Sequence, residues 1–144
     1  MIAPGAELDD DGATVPGGIV DLTFPVEADL LVLARMATST IASRSSFDIE
    51  EIEDLRLAVN ELCLVVIAGR RTGRVHLRLE GTPDLIEVVC RYEGTEDAVA
   101  DGGGDAPDGG LSDRILDALV DEHGPVDDGG RGARLCKRRS TSGG

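Results

Sequence analysis

The sequence predicts an α+β fold: a two-layer sandwich with helices on one face of a mixed or antiparallel sheet. The hydrophobic period changes from 3.6 to 2 across Gly69–Gly73, so a helical region gives way to strands there. The segments run strand, helix, helix, strand, strand, helix, strand, an order that suits a sheet covered on one side. At 144 residues the chain has the length of one domain and can bury a real core. That core must be aliphatic, because apolar residues make up 41% of the chain but aromatics only 2%, with no Trp.

Residues 1–18 are rich in Gly, Pro and acids and are read as a disordered leader. The folded domain then spans 19–139, and 140–144 form a polar tail. "IVDLTFP" (19–25) alternates apolar and polar residues and ends at Pro25, as an edge strand does. From about 27 to 45, Leu30, Leu31, Ala34, Ala37 and Ile41 follow a helical period. A second helix runs from about 48 to 68. Asp48 is placed as its N-cap, with Glu50, Glu51 and Glu53 at the positive end of the helix dipole. Its apolar stripe is Ile52, Leu55, Val59, Leu62 and Val66, and Gly69 stands where a C-cap belongs, helped by Arg70 and Arg71.

"RVHLRLE" (74–80) and "LIEVVCRYE" (85–93), joined by the turn "GTPD", read as an antiparallel hairpin. The Gly/Asp stretch 94–110 is too long and polar for an ordinary connection, and is either a lid or disordered. "LSDRILDALVDEHG" (111–124) reads as a short amphipathic helix with Leu111, Ile115, Ala118 and Leu119 inward. "GARLCKRR" (132–139) closes the sheet.

A formal net charge of −14 argues against direct binding to nucleic acid or an anionic membrane, since both require a cationic surface. It suits a basic protein partner, or it serves solubility alone. The charges are also segregated. Between Glu93 and Asp128 stand twelve acidic side chains and a single basic one, Arg114, whereas Arg131, Arg134, Lys137, Arg138 and Arg139 crowd the last strand. The start is acidic, with no apolar signal region, and no segment is long and apolar enough to span a membrane. Cys63, Cys90 and Cys136, with His76 and His123, show no zinc-ligand spacing and read as small buried apolar residues of a reduced, cytoplasmic protein. Gly102–Gly104 alone are a weak phosphate-loop signal.

Several phrases, in order, resemble the anti-sigma-factor serine/threonine kinases, members of the GHKL superfamily with the Bergerat ATP-binding fold. "VDLTFPVEADLLVLARMA" is similar to that family's opening strand and first helix, and "DIEEIEDLRLAVNELC" to its N-box helix. "LIEVVCRYEG" resembles the strand leading into the adenine-binding motif. "GGLSDRILDALVDEH" resembles the glycine-led helix after the ATP lid, and "GARLCKRR" the closing strand.

The resemblance implies a site, and this sequence departs from it at three contacts. The catalytic glutamate of the N-box helix corresponds to Glu61, and the magnesium-binding asparagine four residues later corresponds to Val65. Magnesium takes hard oxygen ligands, and an isopropyl group offers none. The acid that accepts the adenine amine lies two residues before a glycine; here the glycine is Gly94 and the acid position holds Tyr92. A buried phenol there would fill the purine's space. The family's Gly-Leu-Gly-Leu corresponds to Gly110-Leu111-Ser112-Asp113, where Ser112 crowds the backbone approach to phosphate and Asp113 adds negative charge beside it. Without the resemblance, Glu61 reads as a solvated or Arg-paired glutamate and Tyr92 as core filling. With it, Glu61 becomes a relic of position.

The resemblance implies an anti-sigma factor of bacterial stress-type transcription regulation. Such a protein sequesters an alternative sigma factor, is released by a STAS-domain anti-sigma antagonist, and forms a homodimer. ATP and magnesium serve its active relatives; the three departures lead us to expect no cofactor here and a pseudokinase. Two other readings stand beside it: an active serine kinase of the antagonist, and a regulatory module of the same fold with an unrelated protein partner.

Overall fold

The computed structural model describes residues 18–95, 110–126 and 132–139. Three expectations from the sequence fall outside them: the leader up to residue 17, the greater part of the 94–110 stretch including Gly102–Gly104, and the tail. Strand β1 is Gly18–Pro25, one residue longer at its start than the sequence boundary, with Gly18 at φ +99°. A 3-10 turn, Ala28–Leu30, leads into helix α1, Leu31–Ser43. Helix α2 follows, Ile49–Ile67, then strands β2 (Arg74–Gly81) and β3 (Leu85–Glu93). Helix α3 is Leu111–Leu119, and strands β4 (Glu122–Pro125) and β5 (Gly132–Arg138) complete the described chain.

The sheet has five strands in the order β1-β2-β3-β5-β4, and every pairing is antiparallel. β1 is an edge strand, as its terminal proline requires, because proline cannot donate to a ladder. Register aligns Val75 with Tyr92, Leu77 with Cys90 and Leu79 with Val88, and Val88 in turn with Leu135. Because side chains alternate between faces, this puts every large buried residue of β2 and β3 on one face. The helices pack there, α1 and α2 over β2 and β3, with α2 also touching β5. The other face is charged: Asp21 pairs with His76 and Arg78, and Arg134 with Glu87 and Glu122. Cys136 lies on that charged face, buried under those side chains.

α2 begins where the sequence places it. The Asp48 carboxylate accepts from the Glu51 N–H at 2.8 Å, and the Glu51 side chain accepts from the Asp48 N–H at 2.9 Å, a complete capping box. At the other end Ala68 is the C-cap and Gly69, one residue on, takes the left-handed conformation at φ +76°. Leu55, Val59, Leu62 and Val66 are buried along one face of α2.

The last third of the chain corrects the sequence reading twice. The helix starting at Leu111 does not reach residue 124. It stops at Leu119, and Glu122–Pro125 become an edge strand beside β5, with His123 opposite Leu135. Gly124-Pro125 cannot extend a helix, and the unpaired edge of β5 offers those backbone groups partners. The inward face is also rotated. Leu116 is the buried residue of α3, Ile115 and Leu119 are half-buried, and Leu111 and Ala118 face solvent.

Candidate functional site

Helix α2 carries the candidate residues along one side, and α3 lies against it. At the junction, the Ser112 hydroxyl donates to the Glu61 carboxylate, Oγ to Oε2 at 2.5 Å. Glu61 is half-buried. Its partner is therefore a hydroxyl in the first turn of α3, not the arginine that sequence reasoning offers. Gly110 is the N-cap of that helix at φ +88°, a conformation that requires glycine, although a Cβ there would meet nothing within 4 Å. Its carbonyl accepts the first helical hydrogen bond, from the Arg114 N–H at 3.2 Å. Asp113 is exposed in the same turn, favourably placed for the helix dipole but repulsive to any second anion.

One turn further along α2, Val65 is 44% exposed. It borders a half-open cavity of about 280 Å³ between α2, α3 and the β4–β5 pair. Leu62, Leu116, Pro125 and Ala133 give that cavity apolar walls, with Asp113 and His123 as its polar members. His123 is held by Asp117, Nε2 to Oδ1 at 2.7 Å.

At the C-terminal end of α2 stands a second cluster. Tyr92 is 3% exposed, and its ring points from β3 toward the helix layer. Its hydroxyl donates to the Thr72 carbonyl at 2.9 Å, and the Arg70 guanidinium lies 4.0 Å from the ring centroid. Arg70 is itself buried and donates to the Val66 carbonyl at 2.5 Å, so one side chain caps the helix and covers the ring. Two glycines make space for this stack. A Cβ on Gly73 would come within 2.7 Å of the ring, and one on Gly94 would strike the phenol. Gly73 also sits at φ +100°.

The structure thus brings Glu61, Gly110 and Ser112 together at one place and Tyr92 and Gly94 at another, with Val65 between them along α2. Sequence reasoning missed Arg70 as a partner of Tyr92 and Gly73 as the space it needs. The only available signal was an arginine just beyond a helix end with a glycine three residues later. It also missed His123–Asp117.

A sequence model of the histidine kinase-like ATPase domain matches residues 24–139. The chain belongs to that family. Among characterised relatives, a protein named serine-protein kinase RsbW from Bacillus licheniformis is 27% identical over 128 residues, covering 76% of this chain and 80% of the relative. RsbW of Bacillus subtilis is 29% identical over 79 residues, 52% of this chain and 49% of its own length. RsbW of Listeria innocua is 31% identical over 80 residues, 53% and 51% respectively. The chain therefore spans about half the length of these last two. All the candidate positions, from Glu61 to Ser112, fall inside the segment matched to the histidine kinase-like ATPase domain. The antiparallel five-stranded sheet with helices on one face is the architecture expected of it.

Proposed function

We propose that this protein is an anti-sigma factor that holds an alternative sigma factor without depending on nucleotide, and that a STAS-type antagonist releases it. The observation that carries the reading is Tyr92. The family position that accepts adenine is occupied by a ring buried to 3% exposure, stacked under Arg70 and hydrogen-bonded to Thr72. For a purine to enter, the whole stack would have to leave.

The other positions support the same reading. Val65 presents an isopropyl group where a magnesium ligand belongs. Glu61, where a catalytic carboxylate would stand, is held by Ser112 at the start of α3, and Asp113 in the same turn puts negative charge where phosphate would approach. The residues present do not fit a magnesium nucleotide. In this reading the kinase activity in the relatives' name has been lost here and the binding role kept. Sequestration requires a surface, not phosphoryl transfer, and so outlives the site. A net charge of −14 suits a partner with a positive nucleic-acid-binding surface and speeds their encounter. The protein acts in the cytoplasm, as a homodimer. Among the described residues no helix is long and apolar enough to cross a membrane.

Calorimetric titration with Mg·ATP is the direct test, run beside sigma-binding measurements with ATP, with ADP and with neither. We expect no saturable nucleotide binding in the micromolar range and one sigma affinity under all three conditions. Micromolar Mg·ATP binding would refute nucleotide independence, and phosphate transfer to a serine of the antagonist would establish the kinase reading.

A further inference from the structure

The cavity where α2, α3 and the β4–β5 pair meet has a chemistry of its own. At about 280 Å³ it is close to the ~300 Å³ at which small-molecule pockets begin. Its walls are aliphatic: Leu62 and Val65 of α2, Leu116 of α3, Pro125 of β4 and Ala133 of β5. Leu62 and Leu116 are buried and form the floor, while Val65 and Pro125 are exposed at the mouth. Aliphatic surface left open to water favours any apolar body that covers it. An asparagine in place of Val65 would line the same wall with an amide; the valine makes that wall apolar.

The charge at the mouth is negative. Asp113 lines the cavity and is exposed, and Glu61 is held by Ser112, the residue before it. His123, the other polar member, lies 2.7 Å from Asp117 through Nε2, so any charge it takes is matched by that carboxylate. Among the described residues no lysine or arginine lines the cavity. Lys137, on the neighbouring strand, donates to the Leu119 carbonyl at the opposite end of α3. The N-terminus of α3 supplies about half a positive charge. Two carboxylates in and beside its first turn outweigh it, so the mouth favours a cation. We propose that this cavity binds a small organic ammonium ion, its apolar body against Leu62, Val65 and Leu116 and its ammonium group donating to the Asp113 carboxylate. Such a hydrogen bond between charged groups is the strong kind, and the aliphatic floor rewards a ligand with a hydrophobic end. This ligand is opposite in charge to a nucleotide. The assignment rests on the reading that the chain no longer takes a magnesium nucleotide, and it is independent of the sigma partner.

The test titrates the full chain with three probes of one shape and different charge: 2-phenylethylamine, 2-phenylethanol and phenylacetate. Methyl resonances of Leu62, Val65, Leu116 and Ala133 report on the cavity by NMR. We expect the amine to shift these methyls saturably at roughly millimolar concentration, as suits so small a ligand. The alcohol should bind at least about fivefold more weakly, and the carboxylate more weakly still. Asp113→Asn should bring the amine down to the affinity of the alcohol while leaving the alcohol where it was. Glu80→Gln, on the charged face of the sheet, should change nothing. Equal binding of all three probes, or an amine affinity unchanged in Asp113→Asn, would overturn the assignment. So would amine shifts confined to methyls elsewhere in the protein, or no shift at all. These results would leave nucleotide independence intact. Mg·ATP that moved the same four methyls at micromolar concentration would refute nucleotide independence and this proposal together.

Discussion

Removing the Tyr92 ring offers the most discriminating test of how the site is built. Tyr92→Ala deletes an aromatic side chain that is 3% exposed. Large-to-small aromatic substitutions in a core cost about 3–5 kcal/mol, the spread reflecting how far the surroundings relax into the space. The stack is braced by the Gly73 backbone at φ +100° and by a helix end capped through Arg70, so relaxation should be limited. The hydroxyl bond to Thr72 accounts for about 1 kcal/mol of the loss, and the contact with Arg70 for another ~1 kcal/mol. Tyr92→Phe isolates the first of these. For a chain of this length a loss of 1 kcal/mol lowers the midpoint by roughly 3–4 °C. We therefore expect Tyr92→Phe to melt about 3 °C lower and Tyr92→Ala at least 10 °C lower, followed by circular dichroism. A ring standing at a vacant ligand pocket would behave differently, its removal changing stability by less than about 1 kcal/mol. A fall of only 2–3 °C in the alanine variant would refute the account of Tyr92 as structural filling.

Asp48→Ala removes the capping box and should cost about 1 kcal/mol in urea denaturation. Ser112→Ala and Glu61→Ala each break the link between α2 and α3. Their double-mutant cycle should show a coupling of roughly 0.5–1.5 kcal/mol, and no coupling would mean that the hydrogen bond contributes nothing. The Cys90 thiol is pushed up by its hydrogen bond with Cys63, 3.8 Å away, and by burial. Above about pH 9 the unfolded chain ionises this thiol while the native chain keeps its proton, so stability falls as pH rises. Cys90→Val should flatten that alkaline limb, which pH-dependent melting would read. Gly94→Ala drives a methyl group into the Tyr92 ring and should lower stability by about 1–3 kcal/mol, which the same melts measure.

Most of the architecture is written in local pattern. The Asp48 cap, the α2 stripe and the β2–β3 hairpin each follow from residues within one or two turns of chain, and each stands where the period changes. β4 is different. Its four residues, Glu-His-Gly-Pro, show no alternation and become a strand only because β5 leaves an edge for them. The inward face of α3 was misjudged for a related reason: a short helix with one buried residue takes its rotation from what it packs against. At the site, the bulk of Tyr92 and the missing oxygen at Val65 are plain in the sequence. The pairing of Ser112 with Glu61 spans 51 positions and arises only once α3 lies on α2. Arg70 had a sufficient local role as a helix cap, which hid its second role over the ring.

The strand order also bears on how the sheet comes together. β2 and β3 are joined by residues 82–84, with the Thr82 hydroxyl and the Thr82 N–H closing the turn onto Leu85. This hairpin needs almost no loop closure and can form within microseconds. β1 lies at the far end of the chain from its partner in sequence: between Pro25 and Arg74 stand both long helices. Closing that interval carries an entropy penalty that local pairing avoids. β1 also has a neighbour on one side only. A strand that joins late and is paired on one side only should exchange its amides with solvent through small openings long before those of Leu77 or Val88. The acidic edge at Asp21 would then come free before the centre of the sheet, and the hairpin would be the last to be lost.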